Sequence, residues 1–233
     1  MKISVIIPVY NEATTIYALV KYLKAYAGEG AEVEVIVSNA GSTDATSQQA
    51  TKAGATVVEG ATKGRAAQMN AGACVATGQV LYFLHADTYP PKGYGLIILQ
   101  HLSKGCTAGS FKLKFNSRHW LLVYTGWLSY IPWQIIRFGD QSFFITEYHF
   151  KQLSGYNEGM LLFEDQDMVR RASKAGRFCV TRQPIQTSAR KFYQNGVVRL
   201  FLIFVYLYAL YRLGASQKYM VRLYRRLIRE GKI

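Results

Sequence analysis

Apolar runs of strand length alternate with stretches of helical periodicity through the first half of the chain. Lys2 to Val9 reads as a buried strand, after which Ile16, Leu19, Val20, Leu23 and Tyr26 recur at helical spacing and predict an amphipathic crossover helix over residues 12–27. Val33–Val37 predicts a second strand, leading through Thr43-Asp44 at a helix start into residues 44–53. A short strand at Thr56–Val58, a helix from about Arg65 to Ala76 and a strand over Val80–Leu84 follow. Such alternation predicts an α/β fold with a mostly parallel sheet and helices on both faces, and right-handed crossovers put the loops after these strands on one edge.

Beyond Asp87 the pattern changes. A helix from about Lys92 to Ser103 precedes Ala108–Phe115, which alternates as a half-exposed strand does and predicts antiparallel or mixed pairing. An aromatic-rich stretch from Trp120 to Trp133, a Gly139-Asp140-Gln141 loop, a strand over Ser142–Thr146 and a helix beginning near Asp165 come next. Val197–Leu213 is nearly continuous apolar sequence broken by Arg199 and Arg212, shorter than the roughly twenty residues of a membrane span, and reads as interfacial or core. From Lys218 onward, Met220, Leu223, Tyr224, Leu227 and Ile228 fall on one helical face, with Lys218, Arg222, Arg225, Arg226 and Arg229 on the other. That pattern suits a helix lying on an anionic bilayer, or a terminal helix packed on the protein with a solvated basic face.

The 233 residues fit one α/β domain with appendages. A net charge of +14 calls for an anionic partner: nucleotide phosphate, nucleic acid or an acidic membrane surface. Cys74, Cys106 and Cys179 are odd in number and widely spaced, which yields no disulfide framework or zinc pattern and leads to the expectation of a reducing, cytoplasmic location. The chain runs directly into the strand residues Ile3-Ser4-Val5-Ile6-Ile7, so no export signal is expected.

Candidate chemistry gathers at the strand ends. His85-Ala86-Asp87-Thr88-Tyr89-Pro90-Pro91 follows directly on the Val80–Leu84 strand and delivers one carboxylate into a proline-stiffened loop, suited to holding a metal beside a ligand or to capping the next turn. The first strand ends in Pro8-Val9-Tyr10-Asn11-Glu12, the second in Ser38-Asn39-Ala40-Gly41-Ser42-Thr43-Asp44. With Gly64-Arg65-Ala66-Ala67-Gln68-Met69-Asn70-Ala71-Gly72 and Glu164-Asp165, these segments resemble the catalytic domain of glycosyltransferase family 2, whose site is built from P-V-Y-N-E, D-D-G-S-T-D and D-x-D loops. The resemblance covers about residues 1–190 and leaves 191–233 as appended amphipathic, basic helices.

What the resemblance implies is a Rossmann-like GT-A sheet binding a nucleoside-diphosphate sugar. It lays Pro8 and Tyr10 along the base and gives Glu12 and Asn39 hydrogen bonds to base or ribose, while helix capping is the competing use of Glu12 and Asp44. Asn39 and Ala40 stand where the family usually has acids, which leaves the base open. Asp87 corresponds to the last Asp of D-x-D, which in the family holds a divalent cation; Mn²⁺ or Mg²⁺ takes most ligands from water and phosphate, so one carboxylate suffices. His85 replaces the first Asp of that motif, with Ala86 between, and either contacts ribose or metal or sits satisfied at the strand end.

Arg65, beside Gly64 at a helix start, is placed to reach phosphate, and Asn70 to tie loops together. Asp165 matches the family's catalytic base, with Glu164 orienting its neighbours; stabilisation of the first turn of a helix that ends near Arg170, Arg171 and Lys174 is compatible with that role. Asp140 and Gln141 look like acceptor-region elements and Arg190 like a cation for the diphosphate, or else a turn brace and a surface charge.

The expectation is therefore metal-dependent transfer of a sugar, with inversion, to a hydroxyl or lipid-linked acceptor. A catalytically silent nucleotide-sugar or lipid-binding module is the alternative, suggested by Asn39, Ala40 and His85. Specific nucleic-acid binding is not expected, since no recognition helix or aromatic-sheet motif is present. The C-terminal helices are expected to hold the protein peripherally on the cytoplasmic face of a membrane, or to pair with another subunit as a homo-oligomer.

Overall fold

A computed structural model describes residues 1–60, 64–129 and 141–229. Its elements in order are β1 (Ile3–Val9), α1 (Ile16–Ala25), β2 (Val33–Asn39), α2 (Thr46–Ala53), β3 (Thr56–Val58), α3 (Arg65–Val75), β4 (Val80–Phe83), β5 (Thr88–Tyr89) and α4 (Tyr94–Ser103). They continue with β6 (Ala108–Phe115), α5 (Trp120–Leu128), β7 (Phe143–Thr146), α6 (Glu147–Gln152), α7 (Glu164–Ala175), β8 (Phe178–Thr187), α8 (Arg190–Asn195), α9 (Val197–Arg212) and α10 (Gln217–Leu227).

One sheet contains all eight strands, in the order β3-β2-β1-β4-β7-β6-β8-β5. β3, β2, β1 and β4 are mutually parallel, β7 runs antiparallel between β4 and β6, and β8 lies parallel to β6. The mixed half reflects chain order: β7 follows α5 and inserts between two strands made earlier. Alternation divides the core. Ile3, Val5, Ile7, Val80 and Tyr82 face one side with α1, α2, α4 and α5, while Ile6, Leu81 and Phe83 face the other with α3, α6 and α7.

Two helix starts differ from the sequence expectation for a local reason. Asn11 takes φ 54° and residues 12–15 form a turn, in which Thr15 and Ile16 both donate to the Glu12 carbonyl, so α1 begins at Ile16. The Asp44 carboxylate accepts from the Thr46 amide at 3.0 Å, so α2 begins there. Close packing of α3 on β1 needs Gly72, because a Cβ at that position would lie 2.5 Å from Ile6 Cγ2.

The apolar face of α10 is turned inward. Met220, Val221 and Tyr224 are buried, and Tyr224 joins Leu200, Ile203 and Leu207 of α9 in a third cluster. Leu162 and Phe163, which precede α7, pack against the same cluster. Of the two uses foreseen for α10, packing on the protein accounts for its apolar side chains, and its cations face solvent. No helix among the described residues is long and apolar enough to cross a membrane.

The reading of the cysteines needs correction. Cys106 and Cys179 form a disulfide, with Cα atoms 5.9 Å apart, and only Cys74 is free. β6 and β8 are register neighbours, with Gly109 opposite Cys179, so residues 73 apart in sequence meet at the start of two parallel strands. The step from cysteine spacing to a reducing location thereby loses its premise. Reduction with dithiothreitol, or the Cys106→Ser/Cys179→Ser double substitution, is expected to lower unfolding free energy by about 2–4 kcal/mol in chemical denaturation. Identical curves with and without reductant would show the bond to be absent in solution.

Candidate active site

The C-terminal edge of the parallel strands carries two connected clusters. In the first, Val9 at the end of β1 lies opposite Asn39 at the end of β2. The Gln68 amide, buried on α3, donates at 2.8 Å to both the Val9 and the Ser38 carbonyls, pinning two strand ends with one side chain. Pro8 lies in β1 opposite Ser38, and Tyr10 is half-buried just beyond. Asn39 is buried with its amide committed to the protein: Nδ2 donates to Ser47 Oγ and Glu59 Oε2, each at 2.8 Å, and Oδ1 accepts from the Ser42 amide and hydroxyl. The Glu12 amide donates to Thr46 Oγ1 at 2.8 Å, and its carboxylate accepts from the Thr15 hydroxyl at 3.2 Å. Asp44 also accepts from the Ala13 amide; burial would raise this carboxyl, but the hydrogen bonds from Thr46 and Ala13 hold it below its ordinary value.

The second cluster forms where β4, α3, the start of β7 and α7 converge. His85, Asp165, Ser142, Phe143, Met69, Phe83 and Val169 line one small cavity. His85 Nε2 lies 4.0 Å from Asp165 Oδ2, and Arg65 Nη1 lies 3.5 Å from Glu164 Oε1. Gly64, at φ 126°, takes the N-cap position of α3 and sends the chain into Arg65 in a conformation that side-chain-bearing residues rarely adopt. Gln141 is buried beside Ser142, whose hydroxyl accepts from Tyr82 and donates to the Gln141 carbonyl. Asp140 lies outside the described residues.

Burial decides the state of Glu164. Loss of water around it, reinforced by the charge of Asp165, pushes the carboxyl up to about 7 against the opposing pull of Arg65 and His85. Arg65 is too solvent-exposed, and at 3.5 Å too distant, to offset that cost fully. Glu164 and Asp165 open α7, where the helix dipole favours negative charge. The fully buried Tyr156 phenol, beside both carboxyls, is pushed well above its usual range by burial and by their charges.

Asp87 and Arg190 lie along the rim. Asp87 is exposed, with Oδ1 accepting from Thr88 Oγ1 at 3.2 Å and no hydrogen-bond partner for Oδ2 among the described residues. Ala86 is buried, and Thr88 pairs with Thr187 both in the sheet and through their hydroxyls. That pairing sets the Asp87 loop beside the end of β8, from which Ser188, Ala189 and the exposed Arg190 continue. The described residues contain no group of three His, Cys, Asp or Glu side chains able to hold a metal among themselves. One solvent-facing carboxylate near an imidazole fits a hard cation that keeps water and phosphate as its other ligands, and does not fit an all-protein cage. Asn70 is drawn away from the cavity, bonding the Tyr156 backbone on both sides and Glu158 Oε1.

Sequence reasoning passed over several residues that build the site. Gln68 lies within the Gly64–Gly72 segment but was given no role, and Glu59 lies in no motif. Phe163 takes φ 65° immediately before Glu164, a conformation costly for an aromatic residue. It is held by stacking on Tyr211 at 5.1 Å and an edge contact with Tyr208, both from α9. Gln217 of α10 accepts from the Leu161 and Leu162 amides and donates to the Leu162 carbonyl, at 3.1–3.2 Å. No local sequence signal marks Gln217, since its partners lie 55 and 56 residues away.

A carboxyl raised in the folded state contributes stability fully below its unfolded value of 4.5 and loses it as pH rises through about 7. Glu164→Gln, neutral at every pH, is expected to gain melting temperature relative to the parent as pH goes from about 5 to about 8. Parallel melting curves across that range would show Glu164 to be ionised throughout.

Comparison with known proteins follows the same lines. A family model described as Glycosyl transferase family 2 matches residues 4–149. No curated protein matches by sequence. Among solved structures, a fragment of S. aureus TarS, residues 1–349, is 20% identical with a TM-score of 0.65, covering 96% of this chain and 69% of that one. Its complex with UDP-GlcNAc covers 81% of this chain and 58% of that chain. The mannosyltransferase PcManGT from Pyrobaculum calidifontis, in complex with GDP-Man and Mn²⁺, is 18% identical at a TM-score of 0.63, covering 80% and 56%. Glucosyl-3-phosphoglycerate synthase from Mycobacterium tuberculosis, with Mn²⁺, UDP and glucosyl-3-phosphoglycerate, is 18% identical at 0.59, covering 92% and 81%. These structural likenesses are of fold, the GT-A fold of sugar-nucleotide transferases; the family match spans more than half of the sequence, and the chain belongs to glycosyl transferase family 2.

Proposed function

We propose that the chain transfers a sugar, with inversion, from a nucleoside-diphosphate donor to an acceptor hydroxyl, in a single displacement with Asp165 as general base. The observation that carries this reading is the meeting of Asp165, from α7, and His85, after β4, in one cavity, with Asp87 two residues farther along the rim. A displacement needs a proton acceptor for the hydroxyl and positive charge near the departing diphosphate. Asp165 supplies the first. Arg65 and Arg190 are the cationic side chains proposed for the second, and Glu164 orients Arg65.

A divalent cation, where bound, would add charge stabilisation at the diphosphate, and Asp87 is the residue proposed to hold it, with His85 nearby. Solved structures of PcManGT with GDP-Man and Mn²⁺ and of the mycobacterial synthase with Mn²⁺ and UDP support a divalent cation as part of this reading. Pro8, Tyr10 and Glu12 are proposed to border the base and ribose. Asn39, whose amide is spent on Ser42, Ser47 and Glu59, shapes that pocket from behind.

A melting screen against UDP-, GDP- and dTDP-sugars with Mn²⁺ identifies the donor, since a ligand at one hundred times its Kd adds about 2.7 kcal/mol of stability. With that donor, Asp165→Asn is expected to cut turnover at least about a hundredfold while leaving donor affinity near normal, measured by product release and calorimetry. Retention of more than about a tenth of parent turnover would remove Asp165 from the base role. Asp87→Asn is expected to lose the Mn²⁺-dependent part of donor affinity without a change in melting temperature. Unchanged affinity would reduce Asp87 to a turn residue, and donor binding without any turnover in the parent would favour a silent nucleotide-sugar-binding module.

A further inference from the structure

Two neighbouring helices expose apolar stripes that nothing among the described residues covers. On α5, Leu121, Leu122 and Gly126 are buried while Trp120, Val123, Tyr124 and Trp127 face outward, the two tryptophans 68% and 60% exposed. Their spacing of three and four residues makes one continuous stripe. On α9, Val197, Leu200, Ile203 and Leu207 are buried while Val198, Leu202, Val205 and Tyr206 face outward, Leu202 at 60%. α5 and α9 touch, and a shallow groove lined by Val198, Leu202, Tyr206, Arg199 and Leu227 continues the α9 stripe towards α10. Exposed aliphatic and aromatic side chains in this density are costly in water.

The charge around the stripes has one sign. The sequence contains no Asp or Glu from Thr88 to Gly139, nor from Met168 to Arg229. Every charged side chain on α5, α8, α9 and α10 and in the turns joining α8 to α10 is therefore a cation. Arg118 lies two residues before Trp120, Arg199 and Arg212 lie on α9, and Lys218, Arg222, Arg225 and Arg226 are exposed on α10. Aromatic rings and aliphatic side chains bordered by lysine and arginine match the boundary of a bilayer rich in anionic lipid. Nucleic acid would use the cations but gain nothing from Val123, Leu202 and Val205.

We propose that the outward faces of α5 and α9 are a docking surface for an anionic lipid bilayer, with the cations of α10 flanking it. This differs from insertion of α10 itself, whose apolar side chains are already spent on α9. It does not depend on the catalytic reading. The side chains that enter the acyl boundary are those of α5 and α9, and those that meet lipid headgroups are the arginines and lysines around them.

Flotation of the full chain tests it directly. The protein is expected to rise with phosphatidylcholine vesicles containing about 30 mol % phosphatidylglycerol, and far less with pure phosphatidylcholine. Trp120→Ser/Trp127→Ser and, separately, Leu202→Ser/Val205→Ser are expected to lower partitioning by about tenfold or more with melting temperature unchanged, because these side chains face outward. Tryptophan emission should shift to the blue on vesicle addition and be quenched by brominated acyl chains. Failure of the parent to float overturns the proposal, as does flotation that both double variants retain, since binding would then be electrostatic alone. Two further results overturn it: a dimer seen by light scattering that the same substitutions dissolve, meaning a second copy covers the stripes, or tighter retention on duplex DNA than on vesicles at equal salt.

Discussion

Parallel pairing of β1 with β2 and β4 is the constraint from which the site follows. A parallel strand cannot be reached by a tight hairpin, so each crossover carries the chain through a helix and back, and the loops that follow the strands gather on one edge. At that edge β1 and β2 stay paired to their last residues, Val9 opposite Asn39. The Gln68 amide donates to both the Val9 and the Ser38 carbonyls, and the turns at Asn11–Glu12 and Ser42–Thr46 bond to one another above it. This part of the edge is therefore held together by hydrogen bonds that the protein makes with itself.

Adjacent carboxyls meet opposite surroundings because successive residues on a helix point about 100° apart. Glu164 turns into the fold towards Arg65, and Asp165 turns towards His85 and the cavity. Burial lets Glu164 stay protonated near neutral pH, while Asp165 lines the cavity. The division is made by the direction of α7, which Phe163 sets at its first turn.

Much of this was legible along the chain. Strands buried on both faces, such as Ile3–Val9 and Val80–Phe83, announce themselves as apolar runs, and a loop that follows such a strand in an α/β fold has a predictable edge. The position of β7 was not legible, because a four-residue strand contains nothing to say that it inserts antiparallel between β4 and β6. The Cys106–Cys179 disulfide was hidden for the same reason: it depends on β6 and β8 being neighbours, a fact of topology. The periodicity of α10 was read correctly as amphipathic, but periodicity reports that a face is apolar, not what covers it. Asn39 was visible as a departure from an acidic position; that its amide would be consumed by Ser42, Ser47 and Glu59 needed coordinates.

The contact between Gln217 and the Leu161–Leu162 backbone has a consequence for the order in which the protein is made. The strands, the crossovers and the cavity walls are all encoded before residue 190, and they can assemble while the chain is still being extended. The turn that aims Glu164 and Asp165 cannot be completed then, since Tyr208, Tyr211 and Gln217 have yet to be synthesised. The turn that leads into Glu164 and Asp165 is thus tied to the last helices of the chain, so its geometry is complete only once residues 208–217 are in place.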